Sequence, residues 1–175
     1  IDKILIEDDK EFYNEYLNKC PNIYKWDYVR YIILERYGGM YVDMDVELVD
    51  ASFFNKLDPY KFYFMEGTLG THIENSLIIS PLNVDSTLWN RLKMRAKTLI
   101  IGNLEDCNDS YKVLHYVGAW MMSELVLKYD SNQSKYDILG YHQFANLNST
   151  ISFTKHYQTS VWAENGFNKS IDKKS

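Results

Sequence analysis

WDYVRYIILERYGGMYVDMDVELV, Trp26 to Val49, decides how this chain is read. A helix from about Tyr24 to Tyr37 is predicted from Trp26, Val29, Ile33 and Tyr37, which recur at helical spacing. Gly38-Gly39 stops it, because glycine tolerates the left-handed backbone of a helix C-cap. A strand from Met40 to Val49 follows, with Val42, Met44, Val46 and Leu48 on one face and Asp43, Asp45 and Glu47 on the other. Acids at i and i+2 of a strand sit about 6.5–7 Å apart on one face. Carboxylates at that spacing repel unless a positive charge lies between them, and Met40 to Phe54 contains no Lys or Arg. A divalent cation is the economical counter-charge. Hard ions such as Mn²⁺ and Mg²⁺ take carboxylate oxygens together with phosphate oxygens, so the pattern implies a site completed by a diphosphate. Solvated acids on an exposed edge strand would account for a bare Asp-x-Asp. The context sets this one apart: helix, Gly-Gly stop, apolar strand, and acids where the strand leaves the sheet, the place where open α/β sheets bind ligands.

Outward from this core, Ile4-Leu5-Ile6 reads as a short buried strand ended by Glu7-Asp8-Asp9. Asp8 or Asp9 then caps a helix running to Lys19, with Phe12, Tyr16 and Leu17 on one face. Cys20-Pro21-Asn22 breaks it. Tyr63-Phe64-Met65 and Ser76 to Ser80 read as strands. Asp85-Ser86 caps a helix to about Ile101, with Leu88, Leu92 and Leu99 inward. Gly118 to Tyr129 is a further helix, and Ile138 to Phe144 a late strand. Strands alternating with helices predict an α/β domain on a mixed sheet.

The 175 residues suffice for one domain with a real core. A net charge of −5 with no basic stripe argues against nucleic acid as the main partner. No run of 18 apolar residues exists to span a membrane, and no signal peptide is visible. Two cysteines, Cys20 and Cys107, are too few and too far apart for a disulfide framework or zinc site. Sequons at Asn108, Asn132, Asn148 and Asn168 occur in an Asn-rich chain and do not separate a cytoplasmic setting from a secretory lumen. The 15 tyrosines suit both half-buried packing and polar clefts.

Two other metal chemistries can be compared with the same residues. An EF-hand loop opening at Asp43 needs Gly at its sixth position and Glu at its twelfth, where Leu48 and Phe54 stand. A phosphatase of the haloacid-dehalogenase type would use Asp43 as nucleophile, but Glu47 holds the place of its usual Thr or Val and no downstream acidic pair serves its magnesium. That phosphatase is kept as the alternative, beside a non-catalytic nucleotide-sugar-binding module.

The stretch Trp26 to Val49 resembles the signature of the Asp-x-Asp sugar transferases of glycosyltransferase family 32, which includes initiating α-mannosyltransferases and α1,4-glycosyltransferases. The matching positions are Asp27 and Arg30 on the helix, Gly38, Gly39, Tyr41, and the pair Asp43 and Asp45. Three further segments resemble later parts of the family: ENSLIISPLN, which places Asn75 near the donor sugar; YVGAWMMSEL, with Ala119 where a Pro usually follows the Gly; and KHYQTSVW, with its His and Trp. The resemblance implies a GT-A fold, with a mixed central sheet flanked by helices and a first nucleotide-binding strand expected ahead of Ile1. It implies a catalytic domain over residues 1–164, with a flexible tail over 165–175. The implied reaction is metal-dependent transfer of a hexose, with retention, from a UDP- or GDP-sugar to a glycan, lipid or protein hydroxyl.

By the same resemblance Asp45 ligates Mn²⁺ or Mg²⁺ directly, and Asp43 reaches the ribose or the metal through water. His156 is the third ligand, its imidazole suiting Mn²⁺. Asp27 engages donor hydroxyls, Arg30 orients acids or phosphate, and Tyr41 packs on the donor. Trp162 covers the diphosphate or ribose. Glu66 and Glu74 are candidates to face the acceptor.

Overall fold

The computed structural model describes residues 1–67, 70–82, 86–109, 111–129, 135–144 and 154–157. In chain order these form α1 (Asp2–Glu15), α2 (Asn22–Tyr37), β1 (Gly39–Val42), β2 (Val46–Leu48), β3 (Phe62–Glu66), β4 (Ile73–Ser80), α3 (Thr87–Gly102), α4 (Lys112–Tyr116), α5 (Ala119–Tyr129), β5 (Tyr136–Leu139), α6 (Tyr141–Phe144) and β6 (Thr154–His156). One sheet has the order β1-β4-β3-β5, and β2 and β6 form a separate ribbon. β4 runs antiparallel to β1 and β3, while β3 and β5 are parallel. The result is the expected α/β domain on a mixed sheet flanked by helices, consistent with a GT-A-like fold.

Four local expectations are corrected. Ile4-Leu5-Ile6 is helical, not a strand: Leu5 alone of the three is buried, which a helix face accommodates and a three-residue apolar run cannot distinguish from a strand. The helix kinks at Asp9 (φ −155°, ψ 94°), whose carboxylate accepts the Phe12 N–H at 3.0 Å and so caps the continuation to Glu15. The strand from Met40 to Val49 is two short strands broken by a turn at Asp43–Asp45; the apparent alternation is interrupted by Met44, which stands fully in solvent. The late strand ends at Leu139, and Tyr141–Phe144 turns into a helix after Gly140. On α2 the inward face also differs, since Trp26 and Tyr37 are exposed while Tyr24, Tyr28, Tyr31 and Ile32 are buried.

The helices α1 to α5 share one core with the sheet residues Phe62, Phe64, Ile73 and Ile78. Its centre is Trp89 of α3, stacked on Tyr31 of α2 at 6.0 Å and edge-on to Phe62 of β3 at 5.8 Å. Fully burying aromatic and aliphatic side chains such as these contributes about 1.5–3 kcal/mol each. A smaller core on the opposite face joins Phe53, Met65 and Leu77 to Val46 and Tyr141. Lys93 of α3 reaches into the first layer, 3.0 Å from Asp8 and 2.5 Å from Glu35, while Lys97 meets Asp9 at 2.6 Å. Asp8 and Asp9 are thus neutralised by α3 while Glu7 pairs with Lys3 and with Arg36 of α2, and α1, α2 and α3 are tied together.

Gly38 makes the junction on which the site depends. It sits at φ 61°, and a Cβ there would stand 2.5 Å from the Pro81 carbonyl oxygen. Only glycine lets the end of α2 press against the exit of β4, so that Gly39 can start β1 in register with Ser80.

Candidate active site

β1 leaves the sheet at Val42, and the chain turns at once. The Asp43 N–H donates to the Ser76 carbonyl of β4 at 2.8 Å, and the Val46 N–H closes the turn on the Asp43 carbonyl at 3.1 Å. The Asp45 carbonyl accepts from the Tyr157 N–H at 3.0 Å, just beyond β6, whose His156 pairs with Val46. The turn is therefore pinned on both sides by backbone, and its two carboxylates are brought to the imidazole of His156.

One ligand atom each from Asp43, Asp45 and His156 lies within 4.8 Å of the others. His156 Nε2 is 3.4 Å from Asp45 Oδ1, and its Nδ1 is 3.5 Å from Ser76 Oγ. In the tautomer with the proton on Nδ1, Nε2 has a lone pair to offer an ion held between it and the carboxylates. Two donors on one ion, each about 2.0–2.2 Å from it, lie at most about 4.4 Å apart. The residues therefore fit a small divalent ion after side-chain adjustments of a few tenths of an ångström. Two carboxylates and an imidazole are a mixed O and N donor set that suits Mn²⁺, with Mg²⁺ served by the oxygens.

Behind this cluster lies a buried polar network. Arg30, 4% exposed, pairs with Asp27 through Nη2 and donates through Nη1 to the Asn75 carbonyl at 2.5 Å. That carbonyl falls in the stretch of β4 between Glu74 and Ile78 where the register with β3 slips, so it is held by Arg30 instead of the ladder. The Asn75 amide reaches Asp27 Oδ2 at 3.4 Å. Arg30 also lies 3.8 Å from Asp43 Oδ1, with its guanidinium 4.4 Å from the centre of the Tyr41 ring. Burial pushes the Asp27 carboxyl up to about 6, against the pull of Arg30, and nearby Asp43 adds to the rise. The same acids, with Tyr41, hold Arg30 protonated despite its burial.

The structure brings together Asp27, Arg30, Tyr41, Asp43, Asp45, Asn75 and His156. Tyr41 lies beneath Arg30, and its hydroxyl donates to Asp43. Arg30 is enclosed among acids and backbone, where it holds Asp27 and the Asn75 carbonyl. Glu47 does not join the other two acids, because the turn sends it out onto the β2–β6 ribbon, where it accepts from the Tyr157 hydroxyl. Glu66 accepts the Tyr141 N–H at 3.2 Å, and Glu74 pairs with His72. Trp162 and the 165–175 tail lie outside the described residues, as do Asn132, Asn148 and Asn168.

Two residues escaped the reading of the residues as site components. Ser76 orients His156, but a lone Ser in an apolar strand carries no signal. Gly118 admits the start of α5 to the site: a Cβ there would be 3.0 Å from Asp27 Oδ2. Its sole trace in the sequence was its place at a helix start.

No helix among the described residues is long and apolar enough to cross a membrane. No curated protein and no solved structure matches the chain. Residues 2–63 do match a family model, that of the glycosyltransferase sugar-binding region containing a DXD motif, a span that takes in Asp27, Arg30, Tyr41, Asp43 and Asp45 and supports a glycosyltransferase.

Proposed function

We propose that this chain carries the donor site of a metal-dependent, retaining glycosyltransferase of the family-32 type, which moves a hexose from a UDP- or GDP-sugar to a hydroxyl acceptor. The observation that carries this reading is the convergence of Asp43, Asp45 and His156 next to the buried Asp27–Arg30–Asn75 network. The family match over residues 2–63 supports the transferase class.

In this reading Asp45, Asp43 and His156 hold Mn²⁺ or Mg²⁺, with Ser76 fixing the imidazole tautomer. When bound, the ion supplies positive charge to the diphosphate oxygens as the bond to the sugar breaks. The remaining work falls to the chain's own groups. Asp27 and Asn75 present acceptor and donor atoms to sugar hydroxyls, and Arg30 holds both in place through its two nitrogens. Tyr41 fixes the rotamer of Asp43 and keeps water from the lower side of Arg30. A site whose supporting groups are locked this way spends little free energy on reorganisation when substrate binds. Residues 1–164 belong to the catalytic domain in this proposal, with its first nucleotide-binding strand expected ahead of Ile1.

Isothermal titration of UDP and GDP with and without Mn²⁺ tests the donor site. One nucleotide binds with metal-enhanced affinity, and the matching nucleotide sugar is slowly hydrolysed with retention at the anomeric carbon, read by proton NMR. Binding of neither nucleotide at any Mn²⁺ concentration would refute the proposal.

A further inference from the structure

Three near-parallel rings stand where the chain enters β4, four residues before Ser76, the residue whose carbonyl holds the Asp43 turn. The Trp120 indole, at the start of α5, lies 12° from the plane of the His72 ring with centroids 5.2 Å apart, and 16° from that of His115 at 5.8 Å. Trp120 remains 44% exposed. His72 Nε2 is 2.9 Å from Glu74 Oε1, and its Nδ1 is 3.3 Å from Thr71 Oγ1. The placement is rigid: Ser123 Oγ accepts the Ile73 N–H at 2.7 Å and donates to the Ala119 carbonyl at 2.6 Å, which fastens α5 to β4.

Polar groups follow one another along β4 in a definite order. Ser76 addresses His156, Asn75 addresses Asp27, Glu74 addresses His72, and His72 lies against Trp120. The four residue steps from Ser76 to His72 span at most about 13 Å. A nucleotide sugar with its diphosphate at the Ser76 end places its sugar beside Asp27 and Asn75. The His72–Trp120 end is then where the receiving molecule must approach. Its chemistry fits a pyranose ring: the C–H face of a sugar packs on the electron-rich surface of an aromatic. A few fixed hydrogen-bonding groups beside the aromatic surface supply orientation, as in other small-ligand sites.

We propose that Trp120, with His72 and Glu74, forms the acceptor subsite, and that the acceptor presents a pyranose ring to it. This rests on the donor-site reading above and names the class of molecule that receives the sugar. Glu74, oriented by His72, takes the acceptor's ring hydroxyls, and the exposed part of the indole takes its C–H face.

Saturation-transfer NMR on the full chain, with methyl α- and β-glycosides of glucose, galactose, mannose and N-acetylglucosamine as probes, tests the subsite. At least one glycoside binds, Trp120→Ala weakens it by about tenfold or more, and Trp120→Phe retains most of the affinity. Metal-dependent nucleotide affinity, measured on the same samples, stays within about twofold in both variants and shows that they are folded. The subsite is overturned if no glycoside binds a protein that binds nucleotide and Mn²⁺, or if Trp120→Ala leaves glycoside affinity unchanged. Trp120-dependent glycoside binding in a protein that binds no nucleotide upholds a sugar site while removing the donor reading.

Discussion

His156 Nε2 lies 3.4 Å from Asp45 Oδ1, although the two residues are far apart along the chain. The β2–β6 pairing causes this proximity, since Val46 and His156 are register partners and the Tyr157 N–H holds the Asp45 carbonyl. The two carboxylates of the turn thereby gain an imidazole, a candidate ligand that their own strand does not supply.

Removing that ligand is the first test. Asp45→Asn and His156→Ala should each weaken Mn²⁺-dependent nucleotide binding by about 100-fold or more, because even residues that only orient metal ligands cost 10–100-fold. Ser76→Ala should fall within that lower range. Titration calorimetry at fixed nucleotide reads all three, and wild-type affinity in His156→Ala would remove the imidazole from the ligand set.

Gly38 and Gly39 offer a contrast within one dipeptide. Both have positive φ, 61° and 84°, but a Cβ at Gly38 would collide with the Pro81 backbone whereas one at Gly39 meets nothing within 4 Å. Gly39→Ala should cost about 1–2 kcal/mol, the conformational penalty alone. Gly38→Ala should cost clearly more, because backbone on both sides of the contact must shift. Urea unfolding of the two variants gives the comparison, and equal losses would show that the Pro81 contact relaxes without cost.

Lys93 is a buried cation at the junction of α1, α2 and α3. Lys93→Met keeps the aliphatic stem yet leaves Asp8 and Glu35 facing each other without their shared counter-charge. Breaking a buried pair from one side costs about 3–5 kcal/mol. Adding Glu35→Gln to Lys93→Met should recover part of that loss, and chemical denaturation of single and double variants reads the recovery. Additive losses would place the two carboxylates in independent surroundings.

Asp27 predicts a pH dependence of stability. Its carboxyl is raised from 3.8 to about 6 in the folded state, so between those values the folded chain binds more protons than the unfolded one. Its contribution is fully present below 3.8 and is lost as pH rises through about 6. Relative to Asp27→Asn, the wild type should lose about 3 kcal/mol over that window, at about 1.4 kcal/mol per pH unit. Denaturant melts of both proteins from pH 4 to 7 measure the difference. A flat difference would mean that Arg30 keeps Asp27 ionised throughout.

Local chemistry was enough to mark α2, its Gly-Gly stop, a cap at Asp8 or Asp9, β3, β4, α3 and α5, and the acids at Asp43 and Asp45. Each of these rests on interactions within a few residues: helical spacing, a glycine φ, or a side chain accepting a nearby N–H. The errors fell where local signals were degenerate. Ile4-Leu5-Ile6 is as good a helix face as a strand, and an alternating run from Val42 to Leu48 cannot announce that a turn will interrupt it. Long-range pairing settled the rest. The slip in register between β3 and β4 gave the Asn75 carbonyl to Arg30, β6 delivered His156 to the turn, and the packing of α5 through Gly118 and Ser123 set Trp120 beside β4. Those contacts join residues far apart along the chain, so their free energy depends on which surfaces meet when the core closes, and no short stretch of residues encodes that.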